Sequence, residues 1–191
     1  MPTIGQQWWE SLSPQWKQAF LLCVLQKNTP PTLEDFDMIA NMQVLRIAGP
    51  AAPHPNFPQA LPDLGGVREL RNLEILIVSH HALKGIEEVS GLHSLKSLFV
   101  FNNEIESLRG IEDLRQLEQL YVNSNELTSI TEITHLQNLR ELNVADNRLT
   151  SLNGLTETHQ EKLKKIFVKP NDQLKHKDIL YVERELGIEC R

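Results

Sequence analysis

Apolar residues return at fixed intervals through the middle of the chain. The order within each unit is Leu-x-x-Leu-x-Val-x-x-Asn, and the unit recurs every 22 residues. Clear copies begin at Leu73, Leu95, Leu117 and Leu139, and a looser copy begins 24 residues later at Leu163. Several residue types held at the same offsets in five copies do not arise by chance, so the pattern predicts stacked structural units.

Each Leu-x-x-Leu-x-Val segment is predicted to form a short β-strand whose second leucine and valine point into the core. The asparagine ends the strand, because its amide can donate to and accept from backbone groups that a tight turn leaves unpaired. Stacked copies then form a continuous asparagine ladder. Two residues further on, an apolar residue returns to the core: Leu83, Ile105, Leu127 and Leu149.

The rest of each unit carries apolar residues three apart, a spacing that suits 3₁₀ turns. The sets are Ile86, Val89 and Leu92; Leu108, Ile111 and Leu114; and Ile130, Ile133 and Leu136. One unit cannot bury this surface alone, whereas three or more stacked units can. The sequence therefore predicts a solenoid.

The whole pattern resembles the leucine-rich repeat proteins, in the class with 22-residue repeats, over residues 42–174. The resemblance implies an α/β fold: a right-handed solenoid with a parallel β-sheet on its concave face and 3₁₀ or loop segments on its convex face. Members of this class mostly bind other proteins. Some resemble a regulatory subunit of protein phosphatase 1, and others resemble the internalin-type adhesins of bacteria. Nothing in the sequence selects among those partners.

Three regions depart from the pattern. His81 stands where the first clear unit should have its asparagine, and residues 156–162 lack a convex leucine, so we expect a short helix there. Met42-x-x-Leu45-x-Ile47 matches a degenerate first strand, 31 residues before Leu73 and therefore nine more than the regular spacing. We place a Pro-rich insertion at residues 49–66, which hold half of the ten prolines, and expect an ordered or semi-rigid extended loop with polyproline-like stretches.

Helical caps are predicted at both ends of one structural domain. In the N-terminal cap, residues 1–41, Ser13 before Pro14 starts one helix and Thr32-x-x-Asp35 starts another. The first helix has one apolar face, formed by Trp16, Ala19, Phe20, Cys23 and Val24. In the C-terminal cap, residues 175–191, a helix over 178–186 ends at Gly187. Such caps cover the core and strand edges that a solenoid end exposes.

Alternate residues of each strand face outward, so the residues of the concave face follow from the sequence. Phe99, Phe101 and Tyr121 fall on adjacent strands of that face, although aromatic residues make up only 6% of the chain. An exposed apolar patch of this kind predicts a protein-binding site. The alternative is that the rings stack to stiffen the sheet. The predicted partner-binding residues are Ile75, Ile77, Phe99, Phe101, Tyr121, Asn143, Lys165, Phe167 and Lys169.

Two charge patterns accompany this patch. One column beside the face alternates in sign before it ends in two positive residues, which predicts surface ion pairs: Glu74, Lys96, Glu118, Arg140 and Lys164. Residues 162–177 hold six lysines and one acid, formally +5, which could face an acidic partner or a nucleic acid. A solvated cap is the simpler interpretation, because only Phe167 supplies a base-stacking ring. The net charge of −6 also disfavours nucleic acid.

No catalytic motif stands out. Adjacent His80 and His81 point apart, a poor spacing for a metal, and no Gly-rich phosphate loop, Cys-x-x-Cys or Gly-x-Ser-x-Gly occurs. The sequence therefore predicts a non-catalytic protein–protein interaction module, a scaffold or regulatory adaptor, with no cofactor or metal. A nucleic-acid-associated protein is the alternative, and an enzyme using His80 or His81 is least favoured.

The two cysteines, Cys23 and Cys190, lie near opposite ends of the chain, so we expect no intrachain disulfide and a reducing compartment. The most apolar stretch, residues 19–25, is too short to cross a bilayer and has no basic leader before it. We expect a cytoplasmic monomer with no membrane segment.

Overall fold

The computed structural model describes residues 4–191 and contains one seven-stranded sheet. The strands are parallel and lie side by side in chain order. Their bounds are β1 Val44–Ala48, β2 Ile75–Ser79, β3 Ser97–Phe99, β4 Gln119–Tyr121, β5 Glu141–Asn143, β6 Lys165–Phe167 and β7 Glu189–Cys190. The predicted α/β repeat fold is confirmed, while its right-handed winding stays a prediction.

The sheet is built by stacking equivalent residues of successive units. Leu98 lies opposite Leu76 on one side and Leu120 on the other, so residues 22 apart are neighbours in the sheet. The strand leucines and valines from Leu76 to Val144 are almost completely buried. Parallel pairing therefore converts the sequence period directly into a column of packed side chains.

The opposite side of the solenoid carries the predicted 3₁₀ segments. They run over Gly65–Val67, Glu87–Gly91, Thr131–His135 and Glu157–His159. All nine apolar residues of the three predicted arms are fully buried. The arm from Leu108 to Leu114 keeps the same spacing in turns alone, with Leu114 N–H donating to Ile111 C=O at 3.0 Å. Residues three apart therefore face the core in every arm.

The arm that lacks a leucine contains a buried histidine. We expected a short helix in place of the 3₁₀ arm, and the segment is again 3₁₀, Glu157–His159. His159 Nδ1 accepts the Thr156 N–H at 3.1 Å, so Nε2 carries the proton and donates to Ile133 C=O at 3.2 Å. Burial lowers the pKa of this imidazole. A neutral histidine thus takes the place of the leucine and links two neighbouring coils.

In the described part of the chain, four helices lie outside the repeats: α1 Ile4–Ser11, α2 Pro14–Ala19, α3 Leu33–Ala40 and α4 His176–Glu185. A π-helical turn, Phe20–Leu25, continues α2. Ser13 caps α2 by accepting the Trp16 N–H at 3.3 Å, and Thr32 with Asp35 forms a capping box at α3, as the sequence predicts. Trp16 and Phe20 are buried in the same core as Leu45 of β1. Helix α1 and strand β7 were not predicted.

The Pro-rich insertion is shorter and more folded than we expected. Leu61, Leu64 and Val67 lie 22 residues before Leu83, Ile86 and Val89, and all six are fully buried. Residues 61–66 therefore belong to a regular arm, and the extra residues lie between Ala48 and Leu61. They form turns and bends instead of an extended polyproline stretch, because Asn56 N–H and Phe57 N–H both donate to Ala48 C=O. The side chain of Phe57, a residue of this loop, is buried in the core.

Across residues 4–191, no helix has the length and apolar character needed to cross a membrane.

Candidate binding face

The side chains that point away from the core define the open sheet face, which is the predicted concave face. The central row runs Ile77, Phe99, Tyr121, Asn143 and Phe167, and strand pairing places these residues beside one another. All five are partly exposed. Val44, Ile75, Lys165 and Lys169 flank the row, and Val44 is 53% exposed. The structure thus brings eight of the nine predicted binding residues onto one surface, with Phe101 at its rim, and their role in binding stays a prediction.

Phe99 and Tyr121 form the central pair of this face. Their ring centroids are 5.1 Å apart, with planes inclined by 34°. The Tyr121 hydroxyl donates to Glu141 Oε2 at 2.6 Å. This bond, with burial and the negative charge of Glu141, raises the pKa of Tyr121 to about 12. The tyrosine is therefore neutral and held in one orientation at physiological pH.

Phe101 packs on His80 at the rim of the face. The two rings are 5.6 Å apart and almost perpendicular, at 86°. We expected Phe99, Phe101 and Tyr121 to form one cluster, and the structure instead contains two ring pairs. His80 was missed as a partner, although it stands one residue after β2 and its spacing from Asn102 is the 22-residue repeat.

The rim has a repeated sharp corner. His80, Asn102, Ser124 and Asp146 all have a φ between 53° and 61°, and each stands one residue before the ladder position. None is glycine, although glycine enters this left-handed region at least cost. The corner turns the chain from the strand toward the ladder side chain.

The asparagine ladder is present and satisfies buried backbone groups as predicted. Asn125 Nδ2 donates to Val100 C=O and Val122 C=O, both at 3.0 Å, while its Oδ1 accepts Ile105 N–H at 2.9 Å. Asn147 and Asn171 repeat this arrangement. One amide therefore ties three segments of neighbouring coils together.

His81 replaces the ladder asparagine with an imidazole. Its Nδ1 accepts Leu61 N–H at 3.1 Å, which leaves the proton on Nε2 to donate to Ile47 C=O at 3.2 Å. The residue is 8% exposed, and burial lowers the pKa of its imidazole. The histidine thus performs the same pairing across the coil that carries the insertion.

The insertion covers the outer edge of β1. Asn56 Nδ2 donates to Arg46 C=O at 2.9 Å, and Asn56 Oδ1 accepts Ala48 N–H at 2.6 Å. Arg46 in turn donates from its guanidinium to His54 C=O at 2.8 Å. The Pro-rich loop therefore meets the open sheet face at its β1 margin.

Charged residues beside the face form the predicted ion pairs. Lys96 pairs with Glu74 at 2.8 Å, and Arg140 pairs with Glu118 at 3.1 Å. The lysine run at 162–177 does not form one patch. Lys162 bonds Asn138, and Lys164 donates to Gln160 C=O at 2.6 Å. Lys165 lies 5.5 Å from the Phe167 ring centre, on the face itself.

The described residues offer little for catalysis. Among them, no group of three or more histidine, cysteine or acidic side chains is arranged to hold a metal. His81 points into the core while His80 packs on Phe101. Burial raises the pKa of Cys23 and of Cys190 to about 11 in each case, so both thiols are protonated at neutral pH and are poor nucleophiles.

Comparison with known proteins identifies the repeats. A family model described as "Leucine Rich repeats (2 copies)" matches residues 93–136 and 115–157. A search of curated protein sequences found no match. The solved structures with similar folds include three bacterial proteins, and their sequence identities of 21–23% support a shared fold alone.

The first of these is an internalin, InlF, from Listeria monocytogenes, with 21% identity and a TM-score of 0.54, covering 68% of this chain and 44% of that one. A leucine-rich repeat protein from Leptospira interrogans has 23% identity and a TM-score of 0.56, covering 72% and 39%. The functional domain of InlJ from Listeria monocytogenes has 22% identity and a TM-score of 0.56, covering 75% and 30%. The chain therefore spans less than half the length of each of these proteins.

Proposed function

The chain is a leucine-rich repeat protein, and we propose that it is a non-catalytic protein-binding module that holds a partner protein on its open sheet face. Proteins with such repeats generally mediate protein–protein interaction, and the family is typically non-enzymatic. The use of this face, and a scaffold or adaptor role, are our proposal. The observation that carries it is the ring pair Phe99–Tyr121, partly exposed in the middle of the sheet.

An aromatic pair at this place fits a binding anchor better than a core element. Neither ring belongs to the hydrophobic core, which contains Leu98, Val100 and Leu120 of the same strands. Aromatic anchors at interface centres commonly contribute about 2 kcal/mol or more to binding. Ring stacking alone contributes about 0.5–1.5 kcal/mol to a fold. Removal of the rings should therefore affect binding more than folding.

The test is capture of partner proteins from the organism that makes this chain. Phe99→Ala with Tyr121→Ala should remove the captured proteins while the unfolding temperature changes little. Tyr181→Ala is the matched control, because Tyr181 is an aromatic residue of α4 that is 57% exposed. Unchanged capture combined with a large loss of stability would show that the pair only stiffens the sheet.

Three further parts of the proposal concern the location of the protein, its oligomeric state and the roles of its histidines. We place the protein in the cytoplasm, a location supported by two cysteines that remain free thiols in the described chain. We also propose that the protein is a monomer. We further propose that His80, His81 and His159 have structural roles. Their hydrogen bonds to backbone groups and their ring packing support this assignment.

A further inference from the structure

The open sheet face is apolar at its β1–β4 end. Val44, Ile75, Ile77, Phe99 and Tyr121 supply the apolar side chains there, beside the uncharged polar residues Gln119 and Asn123. Arg46 of β1 is charged, and its guanidinium is already bonded to His54 C=O in the insertion. This half of the face therefore offers a partner mainly apolar contacts and does not require the partner to carry a particular charge.

The β6–β7 end of the same face is positively charged. The strands and the residues that flank them carry four cations, Lys164, Lys165, Lys169 and Arg191, against one acid, Glu189, a local excess of three positive charges. This excess lies on a chain whose net charge is −6. The positive end is therefore a local feature and does not follow from overall composition.

Two of these cations are available to a partner. Glu189 is paired with Arg191 at 2.9 Å, and Lys164 is bonded to Gln160 C=O. Among residues 4–191, neither Lys165 nor Lys169 has a carboxylate within ion-pair distance. Both are exposed, and Lys165 extends over the Phe167 ring.

The acids between the two ends offset only part of this charge. Glu141 accepts the Tyr121 hydroxyl and keeps its negative charge, and exposed Asp146 lies beyond the end of β5, at the rim corner. A shallow cavity of about 240 Å³ lies beside Glu141, with Tyr121, Arg140, Lys165 and Phe167 among its walls. A carboxylate placed at the Lys165 side of this cavity would meet an ammonium group whose in-register neighbour, Glu189, is already paired with Arg191.

From this polarity we infer that the partner segment is amphipathic along its length, with apolar side chains over Ile77, Phe99 and Tyr121 and carboxylates at Lys165 and Lys169. The inference rests on the proposed function of the face. Strands β3 and β6 are three spacings apart, which is about 14 Å at about 4.8 Å per strand. A helix spans that distance in about nine or ten residues, and an extended segment in about four or five.

An acidic peptide fits this face better than a nucleic acid does. Phosphate binding relies on several cations that follow a backbone, and on rings that stack bases. Here the lysines of residues 162–177 are dispersed, since Lys162 bonds Asn138 and Lys164 bonds Gln160. The aromatic pair lies on β3 and β4, two to three strands from Lys165 on β6, which suits a ligand with separate apolar and acidic ends.

A displayed library of random 16-residue peptides tests the inference without a known partner. Peptides are selected on the wild-type protein and then counter-selected on the Phe99→Ala/Tyr121→Ala variant. We expect the remaining peptides to combine aromatic or aliphatic residues with Asp or Glu at one of the two separations above. Enrichment of basic peptides, or of apolar peptides without acids, would overturn the inference.

Two charge-reversal variants then locate the acidic end. Lys165→Glu/Lys169→Glu should weaken the selected synthetic peptides at least tenfold, and binding should fall as salt rises. Lys175→Glu/Lys177→Glu is the matched control, because both lysines are exposed at the start of α4, and it should change affinity less than twofold. Unfolding temperatures of both variants verify that the fold is intact.

The possible outcomes separate the two proposals. Peptides that need Phe99 and Tyr121 but ignore the Lys165/Lys169 reversal would refute the acidic end and leave the proposed function standing. Recovery of no peptide that depends on the aromatic pair would contradict both. A 20-nucleotide single-stranded RNA serves as the competing ligand. If it bound more tightly than the peptides and the lysine reversal abolished its binding, the partner would be a nucleic acid and the inference would be wrong.

Discussion

The turn at Asn125 and the turn at His81 both need a side chain that bonds buried backbone groups, and they use different side chains for it. The Asn125 side chain bonds four backbone groups, whereas the His81 side chain bonds two, Leu61 N–H and Ile47 C=O. The comparison teaches that the fold requires paired backbone groups at this position and does not require an amide. It also shows a cost, because an imidazole can be protonated and an amide cannot.

The largest expected effect is the loss of an interior ladder residue. Asn125→Ala should reduce the free energy of unfolding by about 3 kcal/mol, because each buried backbone group left unpaired costs about 1–3 kcal/mol. The measurement is urea unfolding. Asn123→Ala, two residues away and partly exposed on the sheet face, is the matched control and should cost less than about 0.5 kcal/mol. A loss below 1 kcal/mol at Asn125 would mean that water replaces the amide.

Removal of the imidazole should have a somewhat smaller effect. His81→Leu leaves Leu61 N–H and Ile47 C=O without partners, and we expect a loss of about 2 kcal/mol in the same measurement. His93→Leu makes the same substitution at an exposed position and serves as the control. If His81→Leu lowered the free energy of unfolding no more than His93→Leu does, the histidine turn would not depend on its side-chain hydrogen bonds as the asparagine turn does.

A pH dependence should distinguish the histidine turn from the asparagine turns. Burial lowers the pKa of His81 and His159 from 6.5, so the unfolded chain takes up protons before the folded one. Stability should therefore be complete above pH 6.5 and fall as the pH decreases toward the folded pKa values. Each histidine contributes at most about 1.4 kcal/mol per pH unit.

The measurement for this effect is urea unfolding between pH 7.5 and pH 5. The His81→Leu variant should show a shallower decline than the wild-type protein, while Asn125→Ala should decline with the wild-type slope. Equal slopes in wild-type protein and His81→Leu would exclude His81 as a source of the pH dependence.

The smallest loss of stability should come from removing one of the surface ion pairs beside the sheet. Lys96→Gln removes the pair with Glu74 and should cost less than about 0.5 kcal/mol, because exposed ion pairs gain little in water. The same substitution at Arg140, which pairs with Glu118, should match it. The two losses should shrink further in 0.5 M salt. A loss above 1 kcal/mol at either position would show that these pairs matter as much as the ladder.

Much of the fold was predictable, because one period sets both the strand pairing and the core. The leucines, the convex residues three apart and the ladder asparagines all follow from offsets along the chain. Helix α1 could not be found in that way, since it lies outside the repeats and packs through Trp8 and Trp9 against other aromatic residues. Strand β7 has two residues, too few for a recognisable alternation.

The position of the open sheet face was predictable, and the contacts made by its side chains were less so. Alternation along the strands correctly places Phe99 beside Tyr121. Phe101 instead packs on His80, because the chain turns at the left-handed corner immediately after β2 and brings that ring to the rim. The insertion was misjudged for a related reason: its prolines suggested an extended loop, while hydrogen bonds from Asn56 and Phe57 to Ala48 fold it back. Hydrogen bonds between residues eight or nine apart in an irregular loop leave no recognisable pattern in the sequence.

The bonds of Asn56 also bear on self-association. An open β-strand edge invites another chain to pair with it. Asn56 and Phe57 occupy Arg46 C=O, Ala48 N–H and Ala48 C=O, so this stretch of β1 already has the partners that a further strand would supply. A second copy could add to the sheet there only by displacing the loop. The insertion thus blocks the addition of another strand along this stretch of β1.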